Sequence, residues 1–216
     1  MTTPIRIDIF SDVICPWCYI GKRRLEIAAE MHGNVTLDIN WRAFLLNPAM
    51  RREGMNRQAY INAKFGTAGA SFYDRIADVG QDVGINFNFA GITRTPDSRP
   101  AQALIKAAGT AGTAGTVGTA ANALKQDLFE AYFINGVDIG DDKVLAEMAA
   151  NYGLSYPSED RFHAAVEQDL MEASRLHVQG VPYIIVAGEW AISGAHAPES
   201  FQPLFDAALA KLSVTS

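Results

Sequence analysis

The two ends of the chain carry strand patterns, whereas the long segment between them carries helix patterns. Near the N-terminus, residues 5–10 and 35–44 alternate apolar with other residues and predict two strands with a helix between them. Near the C-terminus, residues 181–186 and 190–193 predict a hairpin, and Pro198 opens a last helix. A strand, a helix and a strand within about forty residues predict a parallel, right-handed unit. The order βαβ, helical block, ββα therefore predicts an α/β protein with a helical insertion.

The middle of the chain, from about residue 57 to 176, predicts helices because its apolar residues recur at helical spacing. Ser98, placed before Pro100, predicts a helix start, and Gly153 predicts a left-handed helix end. A Gly/Thr run at residues 109–119 repeats with a period of three and predicts a surface loop or a frayed helix end. The apolar stripes are Phe72, Ile76, Val79 and Val83; Leu124, Leu128 and Tyr132; Val144, Leu145, Met148, Ala149 and Tyr152; and Phe162, Val166, Leu170 and Ala173.

Composition excludes several function classes. The 216 residues are 49% hydrophobic and 19% charged, which is typical of a globular protein large enough to fold without disulfides or metals. The net charge of −6 argues against a nucleic-acid-binding surface, which needs clustered Lys and Arg. No apolar run reaches the length of a membrane span, and the N-terminus has no secretory pattern. We therefore expect a cytoplasmic protein with no nucleic-acid or membrane partner.

The chain has only two cysteines, in the run Cys15-Pro16-Trp17-Cys18, where a predicted strand meets a predicted helix. The first turn of a helix carries unpaired N–H groups and a partial positive charge, which favour a thiolate and lower the pKa of a cysteine there. Pro16 suits the first helical position, and Trp17 is expected to tune the stability of the thiolate. We expect Cys15 to be an exposed nucleophile and Cys18 a more sheltered resolving thiol, with Asp12 a candidate proton acceptor for Cys18. A metal site is disfavoured because two cysteines supply only half of a zinc ligand set.

Gly180-Val181-Pro182 opens the third predicted strand. Proline lacks a ladder donor and therefore belongs at a strand start or an edge. The bond before proline is also the one place where a cis peptide is inexpensive. A cis Val181–Pro182 bond beside the cysteines would leave the Val181 backbone free to pair with an extended substrate; the alternative is an ordinary trans-proline at a strand start.

These motifs, taken together, resemble the DsbA-like thioredoxin family, and in particular its FrnE-like branch. The resemblance rests on landmarks that keep the family's order along nearly the whole chain: FSDVICPWCYIGK at 10–22, WRAFLLNP at 41–48, TPDSRP at 95–100, AYF at 131–133, GVP at 180–182 and SGA at 193–195. It implies a thioredoxin fold interrupted by an all-helical domain, with a thioredoxin-like domain at residues 1–50 and 178–216 and the inserted domain at 51–177. It also implies a redox-active pair, Cys15 and Cys18, opposite a cis-proline loop at Val181 and Pro182.

The implied activity is thiol–disulfide exchange with a disulfide- or thiol-bearing protein or a small thiol, without a tightly bound cofactor. The chain departs from some FrnE-like proteins because it has no further cysteine motif towards the C-terminus. An internal relay between two cysteine pairs is therefore excluded, and the reducing partner is another molecule that the sequence does not identify.

A related branch, the kappa-type glutathione transferases and 2-hydroxychromene-2-carboxylate isomerases, supplies an alternative function. Its members carry serine at the position of Cys15 and use glutathione. The shared architecture implies a glutathione pocket with walls at Asn47, Val181 and the turn of Ser193, Ala195 and His196, where a helix N-terminus would hold a carboxylate. A third hypothesis is a non-enzymatic redox-sensing chaperone module.

Overall fold

The computed structural model describes residues 4–66, 69–110 and 119–214. Its strands are β1 (Ile5–Ser11), β2 (Leu37–Ala43), β3 (Met55–Asn56), β4 (Arg94–Thr95), β5 (Tyr183–Val186) and β6 (Trp190–Ser193). Its α-helices are α1 (Pro16–His32), α2 (Arg57–Phe65), α3 (Gly69–Gln81), α4 (Arg99–Thr110), α5 (Thr119–Phe133), α6 (Asp142–Asn151), α7 (Asp160–Arg175) and α8 (Gln202–Val214). Of the Gly/Thr run, residues 109–110 end α4 and Thr119 begins α5, while residues 111–118 lie outside the described part of the chain.

A four-stranded sheet in the order β2-β1-β5-β6 confirms the predicted α/β architecture. β1 pairs in parallel with β2 across α1, and antiparallel with β5, which forms the predicted hairpin with β6. The hairpin turn contains Ala187 and Gly188, both at positive φ, as tight hairpin turns require. β1 is the central strand and is buried on both faces except at Arg6. The chain thus brings the end of its first strand beside the start of its fifth.

Helix α1 begins at Pro16 and ends at Gly33, whose φ of 75° is the left-handed helix cap. Its inward stripe passes through Gly21, Leu25 and Ala28. The spacing of Ile20, Ile27 and Met31 also predicts an apolar stripe on α1, but Met31 is 54% exposed and does not belong to the buried face. Gly21 leaves room for the Pro182 ring, which an added Cβ would meet at 2.7 Å. Gln202, at the start of α8, donates from Nε2 to the Ala28 carbonyl at 2.9 Å.

One continuous apolar core joins the sheet and the helices that are inserted between β2 and β5. On α1, the Tyr19 ring stacks on Phe129 of α5 with centroids 5.0 Å apart, and its hydroxyl accepts from Gln126 at 3.0 Å. The division into residues 1–50 with 178–216 and residues 51–177 therefore remains a proposal about topology, because the two parts share their core.

Helices α4 and α7 fix the ends of β1 and β2 through buried polar contacts. Asp169 of α7 accepts from Arg42 Nε at 2.5 Å and from the Ala43 amide at 2.7 Å, and it forms an ion pair with Lys106 of α4. Gln102 of α4 donates from Nε2 to the Ser11 carbonyl at 2.7 Å. These contacts hold in place the ends of β1 and β2, and the chain continues from the end of β1 towards α1.

The structure contains elements that the sequence patterns did not predict. β3 and β4 form a separate two-stranded antiparallel sheet, and residues Phe89–Gly91 form a 3-10 helix. The segment that opens at Pro198 is first a 3-10 helix, Pro198–Phe201, and becomes α8 only at Gln202. Strands of two residues and 3-10 helices of three or four residues are too short to show a period in the sequence. No helix in the described ranges is long and apolar enough to cross a membrane.

Candidate active site

The cysteine motif lies at the connection between the end of β1 and the start of α1. Cys15 is the N-cap residue with extended backbone (φ −97°, ψ 110°), and Pro16 is the first helical residue. The Cys15 amide donates to the Asp12 carbonyl at 3.2 Å, and its own carbonyl accepts from the Cys18 amide at 3.0 Å. Both cysteines are free thiols. The tight turn therefore places the two sulfurs together at the amide-rich end of α1.

The loop before β5 meets this motif directly. The Cys15 thiol donates to the Val181 carbonyl with an Sγ–O distance of 3.5 Å, and the Val181–Pro182 peptide bond is cis. The Pro182 carbonyl accepts from the Gly194 amide at 2.8 Å, which ties the loop to the turn after β6. On its other side the Pro182 ring packs on Gly21, where an added Cβ would lie 2.7 Å from Pro182 Cγ.

The two sulfurs are less accessible than the sequence predicts. Cys15 is 3% exposed and Cys18 is 1% exposed, so the expectation of an exposed Cys15 is wrong for this conformation. The Val181 loop covers Cys15, and Trp17 packs half-buried against the apolar core. Burial is a tertiary effect, because a residue from the distant loop supplies the cover.

The protonation of Cys15 also differs from the sequence expectation. The hydrogen bond with Cys18 raises the pKa of the Cys15 thiol well above its ordinary value, and burial raises it further. The Cys18 backbone N–H acts in the opposite direction, as expected at a helix N-terminus. With the sulfurs side by side, ionising one of them disfavours ionising the other. In the dithiol form the neighbouring sulfur outweighs the helix end.

Two ionisable side chains lie buried near the pair. The Asp12 carboxylate accepts from the Leu46 amide at 2.7 Å and from the Ile14 amide at 3.4 Å, and burial raises its pKa. Lys125 of α5 is fully buried, and burial lowers its pKa to about 8. Sequence reasoning did not single out Lys125, although it falls on the inward face of α5, one residue after Leu124 and four before Phe129. A lysine inside an apolar stripe was the available signal.

A cavity of about 640 Å³ opens beside the segment that follows β2. Tyr60 and Lys64 of α2 form part of its wall, and Asn47 contributes a buried Nδ2 without a hydrogen-bond partner among the described residues. The residues that line it are Asn47, Pro48, Ala49, Met50, Arg51, Glu53, Gly54, Met55, Tyr60, Ala63 and Lys64. The sequence therefore identified one wall residue of this cavity, Asn47.

The other predicted wall residues do not line this cavity. Val181 lies against Cys15. Ser193 is exposed at the end of β6, and its carbonyl pairs with the His196 ring at 2.8 Å. The Ala195 carbonyl accepts from Arg24 at 2.6 Å. The structure thus places the 193–196 turn next to Pro182 rather than across the cavity from Asn47, because the Gly194 amide is used to hold the proline loop.

A buried guanidinium stands behind the cavity wall. Arg57 is 5% exposed, packs on Tyr60 and Tyr73 (5.5 and 4.8 Å to the ring centroids), and donates to the Tyr132 hydroxyl at 3.4 Å. Lys64 donates to the Tyr60 hydroxyl at 2.8 Å. Arg51 and Lys64 bring two cations to the cavity wall and Glu53 brings one carboxylate, so the lining carries a net positive charge that favours a ligand with negative charge.

In the described ranges, no group of three or more His, Cys, Asp or Glu side chains is arranged to hold a metal ion. What the site offers chemically is a pair of neighbouring thiols, the Val181 backbone in contact with Cys15, and the two buried ionisable groups described above.

Comparison with known proteins agrees with this architecture. The chain is 23% identical over 212 residues to the uncharacterized protein YwbO of Bacillus subtilis, covering 92% of this chain and 94% of that protein. The structure of the probable DsbA oxidoreductase SCO1869 of Streptomyces coelicolor is similar, with a TM-score of 0.75, 23% identity, and coverage of 94% of this chain and 89% of that one. The Pseudomonas aeruginosa cytosolic disulfide reductase DsbM, solved with GSH, has a TM-score of 0.60 at 20% identity, covering 97% and 98%. The family model of the DSBA-like thioredoxin domain matches residues 6–206, and the chain therefore belongs to the DsbA-like thioredoxin family.

Proposed function

We propose that the protein is a thiol–disulfide oxidoreductase that works through Cys15 and Cys18. The observation that carries the proposal is the contact of the Cys15 sulfur with the Val181 carbonyl, 3.5 Å away, at the N-terminus of α1. This contact sets the nucleophile directly against a backbone segment with which an extended peptide can pair. The family to which the chain belongs supports disulfide chemistry in general.

The reaction runs by two exchanges. The Cys15 thiolate attacks one sulfur of the substrate disulfide, a Cys15–substrate disulfide forms, and the other substrate sulfur leaves with the electron pair. Cys18 then attacks the Cys15 sulfur, which forms the Cys15–Cys18 disulfide and releases the second substrate thiolate. The substrate gains two electrons and the cysteine pair loses two. The same steps in reverse oxidise a substrate dithiol.

Each remaining element has a role in this scheme. Pro16 fixes the first turn of α1 and Trp17 offers a half-buried apolar surface beside the sulfurs. Val181 and Pro182 form the substrate-docking loop, which Gly194 holds in place. Before the substrate docks, the Cys15 thiol donates to the Val181 carbonyl, so docking replaces that contact by one with the substrate.

The two cysteines are distinguished by substitution. Cys15→Ser is expected to abolish the acceleration of insulin reduction by dithiothreitol and to leave only the uncatalysed rate, because the thiol that attacks the substrate is missing. Cys18→Ser is expected to accumulate a mixed disulfide with the client, because the resolving thiol is missing, and mass spectrometry of the trapped adduct identifies it. Residual insulin turnover in Cys15→Ser near the wild-type rate would contradict the assignment.

We also propose that the protein acts in the cytoplasm, as a reductant or as a disulfide exchanger. The similarity to the cytosolic disulfide reductase DsbM and the disulfide-reducing nature of the cytoplasm support this direction. A redox titration of the Cys15–Cys18 pair against glutathione measures it: a reductant has a potential at or below that of the cytosolic glutathione pool. A potential near that of the secretory oxidants would contradict it.

A second function is favoured by the cavity. Asn47 contributes a buried amide whose Nδ2 has no hydrogen-bond partner among the described residues, and the cations Arg51 and Lys64 line the cavity. These groups suit the carboxylates of glutathione, and the DsbM structure that is similar to this chain was solved with GSH. Glutathione is then a cosubstrate for transfer or isomerisation of a small molecule. Isothermal titration with glutathione against wild type and Asn47→Ala tests it, and absence of heat up to millimolar concentration removes this candidate.

A further inference from the structure

Lys125 is a charge that the fold buries without a partner. Its side chain is fully buried, and among the described residues its Nζ has no hydrogen-bond partner. It lies 5.1 Å from the ring centroids of both Trp41 and Phe129. An unpaired ammonium in such surroundings costs several kcal/mol of stability, whereas an apolar side chain of equal length would pack there without that cost.

The packing of α5 against α1 places this ammonium in the core that also holds Cys18. Residue 126 binds the Tyr19 hydroxyl at 3.0 Å and Phe129 stacks on the Tyr19 ring. The Phe129 ring therefore contacts both the Lys125 ammonium and Tyr19, the residue that follows Cys18 in α1, and Cys18 is buried in the same core as these rings. Trp41 of β2 closes the site from the sheet.

The charged groups around Lys125 are few. The ionisable groups that act on it most are Cys18, then Asp12, then Cys15, each of which favours the ammonium when it is itself ionised. From α4, Lys106 acts in the opposite direction, but Lys106 is held in an ion pair with Asp169. The missing partner of Lys125 is thus a negative charge that arises on the cysteine side.

We propose that Lys125 is a positioning residue that stabilises the thiolate of Cys18 during resolution of the mixed disulfide. In that step Cys18 loses its proton to solvent, its thiolate attacks Cys15, the Cys15–Cys18 bond forms, and the Cys15–substrate bond breaks. The leaving thiolate takes the electron pair and a proton from solvent. The ammonium interacts more strongly with an ionised Cys18 than with an ionised Cys15, so it favours the second exchange over the first. The inference rests on the proposed disulfide exchange.

The test uses the full-length chain and Ellman's reagent, an aromatic disulfide whose released thiolate is coloured. Attack by Cys15 releases one equivalent, and attack by Cys18 on the resulting mixed disulfide releases the second. Lys125→Met is expected to slow the second release about tenfold near neutral pH and to move its pH dependence to higher pH, since one pKa step is a tenfold change in thiolate. The first release is expected to change by less than about threefold because Cys15 acts on Lys125 less strongly than Cys18 does.

Lys106→Met is the matched control, because it removes a nearby lysine whose charge is already paired with Asp169. It is expected to lower stability without changing the pH dependence of the second release. The proposal would be overturned if the second thiolate release in Lys125→Met kept the wild-type pH dependence. It would also be overturned if this variant slowed both releases equally. If Lys125→Met does not fold, Lys125→Gln removes the same charge with a polar side chain.

The failure of this proposal is distinguishable from failure of the proposed function. A wild-type chain that releases only one equivalent contradicts the disulfide mechanism itself. In that case the Cys15→Ser chain still decides the role of Lys125. Its remaining thiol is titrated by ultraviolet thiolate absorbance, and the midpoint is expected at higher pH when Lys125 is replaced by Met. An unchanged midpoint contradicts the role assigned to Lys125.

Discussion

Gly21 is the residue at which helix α1 touches the proline loop, and Gly21→Ala measures how tightly the two are packed. An added methyl carbon would lie 2.7 Å from Pro182 Cγ and 3.6 Å from Ala195 Cβ. Ordinary carbon–carbon contacts lie at about 3.5–4.0 Å, so the proline ring or the helix must move by close to 1 Å. Neither moves easily, since the Pro182 carbonyl is bonded to Gly194 and α1 is buried along this face.

Two effects of opposite sign decide the outcome. Alanine is better than glycine in a helix interior by about 1 kcal/mol, which alone would stabilise the variant. Overpacking of a tight contact costs about 1–3 kcal/mol. We therefore expect the unfolding free energy of Gly21→Ala to fall by up to about 2 kcal/mol, and turnover of a model disulfide to fall at least threefold, because the Val181 carbonyl shifts relative to Cys15.

Urea unfolding monitored by tryptophan fluorescence gives the stability change, with Gly109→Ala as the control. Gly109 also lies in a helix, but an added Cβ there would meet only Ala121 Cβ at an ordinary 3.8 Å. The control is therefore expected to stabilise the protein by up to about 1 kcal/mol. If Gly21→Ala stabilises the chain as much as Gly109→Ala does, the packing argument is refuted.

Two further predictions concern buried charges. Asp169→Ala leaves Arg42 and Lys106 without their shared carboxylate and is expected to lower the unfolding free energy by about 3 kcal/mol in urea, whereas Asp206→Ala, at an exposed pair with His32, should change it by less than about 1 kcal/mol. Similar losses in both variants would contradict the importance of the buried cluster. Burial lowers the pKa of Lys125 to about 8. Between that pH and the ordinary pKa of lysine, the unfolded chain therefore binds more protons than the folded chain. The contribution of Lys125 to the unfolding free energy rises with pH across this window. Relative to Lys125→Met, the wild-type unfolding free energy should rise by up to about 3 kcal/mol across that window, and parallel pH curves for the two proteins would contradict this.

The element order could be predicted from the sequence because strand and helix periods are local. The alternation at residues 5–10 and the cysteines directly after it were enough to predict β1, the start of α1 and a dithiol at the helix N-terminus. The hairpin of β5 and β6 followed from an apolar run, a tight turn and a second short run. Cys15, Cys18 and the Val181–Pro182 loop could be singled out for the same reason.

Other features depend on which surfaces meet. Met31 fits a helical stripe and is nevertheless exposed, because α1 is buried along the neighbouring stripe of Leu25 and Ala28. Ser193 and His196 were expected at a pocket with Asn47, but the Gly194 amide binds the Pro182 carbonyl instead. A periodic pattern gives the face of a helix only approximately and gives no information on its partner.

The sequence by itself determined that two thiols stand at the start of a helix behind a strand, since a few neighbouring residues set that geometry. Only the tertiary structure decided that Val181 covers Cys15, that the second sulfur raises the pKa of the first, and that Lys125 enters the core near Cys18. Those properties come from residues far apart in the chain, whose approach depends on the packing of the whole core.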